Sequence, residues 1–133
     1  MVMTEQTRLP AGDVSIRSPI PVFRIFSTEK ATEFYQGFLG CTVDWEHRFE
    51  TDAPLYQQIS RDGLVLQLSE HVGDASPGAK VLTAVRGLEA LHRELSEKNY
   101  PYMRPAIEIQ PWGRELMVTD PFSNRIAFLR RLN

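Results

Sequence analysis

The chain has 133 residues, 42% of them hydrophobic and 24% charged. That is the size of one domain, apolar enough to build a core and too apolar for wholesale disorder. A net charge of −2 and a pI near 5.9 disfavour nucleic acid as the partner, since that calls for a basic patch. No apolar run approaches the ~18 residues of a membrane span, and no secretory h-region opens the sequence. The one thiol, Cys41, can form neither an internal disulfide nor a multi-cysteine zinc site. A globular protein of a reducing, cytoplasmic compartment is expected.

Residues 1–18 are polar, carry Pro10 and Gly12, and show no period. They read as an arm that orders against a partner subunit, leaving one domain over 19–133. Residues 20–26 (IPVFRIF) are β-branched and aromatic, as a strand requires, with Pro21 confining it to an edge or a start. Ser27 or Thr28 caps the helix that follows. Ala31, Phe34, Tyr35, Phe38 and Leu39 share its buried face, and Gly40 ends it. Residues 41–49 alternate: Val43, Trp45, His47 and Phe49 point one way, and Thr42, Asp44, Glu46 and Arg48 the other. Strands over 55–60 and 64–70 flank an Asp62-Gly63 hairpin. Residues 71–78 (HVGDASPG) form a loop by composition.

The second half repeats this order. A strand over 80–85 precedes a helix over 87–98 with Leu88, Leu91 and Leu95 on its apolar face; His92 lies on its solvated side. Strands are expected over 103–109, 115–119 and 125–129, with a turn at 120–124 (DPFSN) that needs a positive φ. The two halves, 19–71 and 79–131, are thus offset by about 60 residues. Each has a sheet it cannot cover alone.

Three stretches carry a resemblance: FRIFSTEKATEFYQGFLGCTVDW, DGLVLQLSEH and, most specifically, QPWGRELMVTDPFSNRIAFLRR. With them the chain resembles the glyoxalase/bleomycin-resistance group, the vicinal oxygen chelate superfamily. The resemblance implies an α+β fold in which two βαβββ modules form a cup-shaped mixed sheet. Enzymes of that group hold a divalent metal inside the cup, at positions that fall here on Ile20, Gln67, Lys80 and Ala127. Isoleucine and alanine cannot coordinate, and lysine is cationic, so only Gln67 could serve. No metal and no other cofactor is expected. The resemblance then implies the bleomycin-resistance branch: homodimers that trap a cationic, aromatic drug without chemistry; charge and hydropathy add the expectation of no nucleic acid or membrane as partner.

Six residues are candidates for the ligand site. Trp45 and Trp112 either pack the core or stack on a planar ligand, an attraction of roughly 0.5–2 kcal/mol. Phe49 shares the Trp45 face. Gln67 falls, on the resemblance, at a position inside the cup. Glu115 forms an ion pair with Arg114 or a polar group at the cleft mouth. Arg24, on the strand that opens the cup, pairs with an acidic residue or recognises a ligand anion. Two alternatives stay open. One is a metal-dependent lyase or dioxygenase whose ligands are displaced to His47, Gln67, His71 or Glu108; the other is a binder of an unrelated metabolite.

Overall fold

The computed structural model describes residues 12–131. Its elements run twice through strand, helix, strand, strand, strand. In the first module, β1 (Val22–Arg24) leads to α1 (Thr28–Ala31), which widens into a π-helical stretch (Thr32–Phe38). The strands β2 (Thr42–His47), β3 (Tyr56–Arg61) and β4 (Leu64–Ser69) follow. The second module holds β5 (Lys80–Ala84), α2 (Leu88–Glu97), β6 (Ile107–Gln110), β7 (Gly113–Thr119) and β8 (Arg125–Arg131). Each module forms a four-stranded mixed sheet, ordered β1-β4-β3-β2 and β5-β8-β7-β6, in which only the β1–β4 and β5–β8 pairs are parallel. This is the α+β architecture of two βαβββ modules. Of the expected arm, residues 1–11 lie outside the described residues; 13–19 belong to no helix or strand and leave Val14 and Ile16 exposed.

Local chemistry sets the element ends. Pro21 has no N–H to give a ladder, and its carbonyl accepts from the Gln67 amide at 2.9 Å. The strand is therefore shorter than 20–26, with Ile20 and Phe26 turned outward. The Ser27 hydroxyl accepts from the Lys30 amide at 3.1 Å, which caps α1. All five apolar positions of that helix are buried. Its last turns are wide: the Leu39 amide reaches back five residues to the Phe34 carbonyl. β6 begins at Ile107, later than expected, because Pro105 again lacks a donor. The Pro105 carbonyl instead meets His92 Nε2 at 3.1 Å, so His92 is half-buried and not solvated as expected. In the 120–124 turn Ser123 itself takes the positive φ, at 74°. Asp120 Oδ1 accepts from the Phe122 and Asn124 amides, both at 2.8 Å.

One core serves both modules. Phe23, Ile25, Ile59, Leu66 and Leu68 of the first sheet pack with Leu116, Val118, Ile126 and Phe128 of the second, and the faces of both helices fill the space between them. Polar ties cross the seam. The Tyr35 hydroxyl donates to Asp120 Oδ2 at 2.6 Å, and Asn124 Nδ2 donates to the Arg24 carbonyl at 2.9 Å. Arg61 grips Glu94 with both nitrogens, at 2.8 and 2.9 Å. Burial, and then the Asp120 carboxylate, hold the Tyr35 phenol well above its usual pKa. Burial pushes the Cys41 thiol up to about 11, as suits a small packing residue.

Candidate functional site

Because alternate residues of a strand face opposite ways, each sheet has one face in the shared core and one facing away from it. The away face of the first sheet is built in two rows. Register places Val22 beside Gln67, Gln67 opposite Gln58, and Gln58 opposite Trp45. The next row runs Arg24, Ser69, Tyr56, His47. The Tyr56 hydroxyl donates to Gln67 Oε1 at 2.5 Å, and Gln67 Nε2 donates to Gln58 Oε1 at 3.1 Å. These bonds hold the Tyr56 ring parallel to Trp45, with 9° between the planes and centroids 6.0 Å apart. Burial raises the Tyr56 pKa, with Asp74 adding to the shift. Phe49 lies edge-on between His47 and His71, at 4.7 and 6.0 Å.

A β-bulge at Asp44 shapes this face. The pairing slips between Val43 and Trp45, so Val43 sits opposite Ile59 and Trp45 opposite Gln58. Strict alternation over 41–49 therefore fails. Val43 faces away from Trp45, and Thr42 and Asp44 join the Trp45 side, where Asp44 accepts from Gln58 Nε2 at 3.1 Å and Ser60 Oγ at 2.8 Å. Bulges re-aim side chains in this way; none of the residue types over 41–49 signals one.

The second sheet's away face differs in kind. Its rows are Leu82, Ala127, Met117 and Ala84, Leu129, Glu115, Glu108. Glu115 is 7% exposed and takes Trp112 Nε1 at 2.7 Å. The expected Arg114–Glu115 pair does not form, since Arg114 lies on the other face and pairs with Glu89. Trp112 occupies the β6–β7 turn and is 55% exposed. Gly113 behind it has φ 154°, and a Cβ there would lie 2.2 Å from the Arg130 carbonyl oxygen.

The six candidates thus fall into two groups: Arg24, Trp45, Phe49 and Gln67 with the first sheet, Trp112 and Glu115 with the second. Of the six, Arg24 alone lines the cavity of about 400 Å³ formed with Phe26, Thr28, Arg48 and Glu70. Sequence reading missed Tyr56, the partner of Trp45, although the alternation of 55–60 held the signal.

The metal positions can be tested on donor chemistry. Strand pairing sets Val22 beside Gln67 and Leu82 beside Ala127, so Ile20 and Lys80 stand two residues off those rows. Of these four facing residues only Gln67 has a donor oxygen, and Tyr56 occupies it. They do not fit a divalent ion. Nor do the displaced candidates converge. His47 and His71 both flank Phe49, but Glu108 stands on the other sheet. Among the described residues no group of three or more His, Cys, Asp or Glu is placed to hold a metal.

The sequence profile of a family described as "Glyoxalase superfamily protein" matches residues 4–133. The chain belongs to the glyoxalase superfamily. Its fold within that superfamily is shared with several solved structures. One is TnmS3, an antibiotic-binding protein from Streptomyces sp. CB03234, at TM-score 0.65 and 23% identity over 90% of this chain and 100% of that one. Another is the bleomycin-binding protein from bleomycin-producing Streptomyces verticillus, solved with copper(II)-bleomycin, at TM-score 0.65 and 24% identity over 90% and 100% of the two chains. A third is the bleomycin resistance determinant of the transposon Tn5, at TM-score 0.68 and 18% identity over 89% and 100%. No curated protein matches. Among the described residues no helix is long and apolar enough to cross a membrane.

Proposed function

We propose that this superfamily member sequesters a planar, antibiotic-like small molecule without chemical conversion. The observation that carries the reading is the Trp45–Tyr56 stack, with exposed Phe49 beside it. Exposed aromatics gathered on one sheet face mark a recognition surface, and their faces attract flat rings and cations. Gln67 orients Tyr56, and Glu115 with Trp112 supplies a carboxylate and an indole for a ligand's cationic part. Bleomycin is the first ligand to try, because neighbours of the same fold are described as binding it. Two-fold pairing of chains would set the first sheet of one against the second sheet of the other and unite the two groups. The exposed Val14 and Ile16 suit an arm that crosses to the partner.

The test is titration of the protein with copper-free and copper-loaded bleomycin, followed by heat and tryptophan fluorescence. Saturable binding near one drug per chain is expected. Trp45→Ala should weaken it by about 2 kcal/mol. Binding that ignores Trp45→Ala would remove the stack from the site, and no binding up to high micromolar drug would remove bleomycin.

A further inference from the structure

We propose that Arg24 binds an acidic group of the ligand, so that this cleft takes aryl compounds bearing a carboxylate, sulfonate or phosphate. The inference rests on the aromatic reading above and adds the chemical class. Arg24 is only 9% exposed, and a buried guanidinium is costly unless it is paired. Among the described residues its five N–H donors make one bond, from Nη1 to the Ile25 carbonyl, and its carbon lies 4.2 Å above the Phe26 ring. None of the ion pairs among the described residues includes it.

Arg24 lines a cavity of about 400 Å³ together with Phe26, Thr28, Arg48, Asp52 and Glu70. The carboxylate of Glu70 is already engaged: its Oε1 accepts from the Leu55 amide at 2.9 Å and sits 3.8 Å from Arg48. Arg48 also donates to the Ala53 carbonyl at 2.6 Å. Asp52 lies on the exposed loop after β2, in no ion pair among the described residues. The cavity therefore holds one nearly buried cation whose fork has donors to spare. Such a fork takes two oxygens of an oxyanion at once. The Trp45–Tyr56 stack does not line this cavity; register puts Arg24 in one row with Ser69, Tyr56 and His47, so a ligand that meets both must reach across β4 from the cavity to the stack. The equivalent position in the second sheet is Ala84, beside Leu129, and the repeat offers no second such anchor.

The test uses two dyes with the same rings: anilinonaphthalene sulfonate and uncharged phenylnaphthylamine. The full-length protein should bind the sulfonate tighter by about tenfold or more. Arg24→Gln should erase that preference, Arg24→Lys should keep part of it, and Trp45→Ala should weaken both dyes alike. A preference that survives Arg24→Gln overturns the proposal. If Arg24→Gln does not fold, inorganic phosphate decides with the unmodified protein: it must displace the sulfonate dye and leave the uncharged one bound. Displacement of both dyes, or of neither, overturns the proposal. If neither dye binds, phosphate must raise the melting temperature of the unmodified protein by more than that of Arg24→Lys. That result would keep the anion site and sink the aromatic reading, and an equal response of the two proteins would sink the anion site as well.

Discussion

The two sheets repeat one topology, yet their away faces have opposite chemistry. The first carries Gln67, Gln58, Arg24, Tyr56 and His47, with Trp45 beside Gln58; the second, at the positions matching those five, carries Ala127, Met117, Ala84, Glu115 and Glu108. The central core-side positions are apolar in both, because each sheet must bury one face to persist, while Gln57 is buried there with Glu46 as its partner. The away faces carry no such demand and have diverged. A repeated scaffold thus holds a polar, aromatic wall with a cation and a largely apolar wall with two acids, Glu115 and Glu108. Fold likeness places this chain among the glyoxalase superfamily, while its binding chemistry must be read from these side chains.

Three measurements sharpen or break this contrast. The largest effect should come from the seam that both faces depend on. Asp120 accepts from the Tyr35 hydroxyl, two turn amides and Asn124 Nδ2. Asp120→Ala leaves those buried donors unpaired and should cost about 3 kcal/mol or more. Both modules should then melt together at a lower temperature; two separate transitions would show that the sheets do not share a core.

A smaller effect should be confined to the second face. Trp112→Phe keeps the ring but removes the only hydrogen bond drawn to the Glu115 carboxylate by a side chain of the described residues. The cost in stability should be about 1 kcal/mol. Tyr56 and Trp45 should be undisturbed, as judged by Trp45 emission, which then becomes the only indole signal. A shifted Trp45 spectrum would mean that the two faces are coupled.

The smallest concerns pH. The Arg61 hydrogen bonds, chiefly, hold the Glu94 carboxyl below its usual value. A depressed carboxyl stabilises the fold above its unfolded pKa and loses that contribution as pH falls through the folded one. Both side chains are more than a third exposed, so the pair is worth about 0.5 kcal/mol. Arg61→Gln should flatten the acid limb of the stability curve below pH ~4.5. An unchanged limb would show that the pair contributes nothing measurable.

Much of this was legible in the chain, and the reasons differ by element. Ala31, Phe34, Tyr35, Phe38 and Leu39 announce a buried helix face because their spacing is a property of one helix. Leu88, Leu91 and Leu95 do the same. The Asp62-Gly63 turn is local chemistry: Asp62 takes φ 51°. The side on which Val43 stands was not legible, since a bulge is decided by how β2 meets β3. The length of β1 was hinted at by Pro21 but settled by which amide its carbonyl accepts.

The candidate site divides in the same way. The sequence by itself determined the two-module order and the helix faces, because these follow from residue type and short-range spacing. It nominated Arg24, Trp45, Phe49, Gln67, Trp112 and Glu115 as one set, without separating them between the two sheets. Only the tertiary structure decided that Tyr56 stacks on Trp45, that Glu115 takes Trp112 rather than Arg114, and that Arg24 is buried without a carboxylate partner among the described residues. Those facts depend on register between strands distant in the chain, and register is set by the packing of the whole sheet against its core.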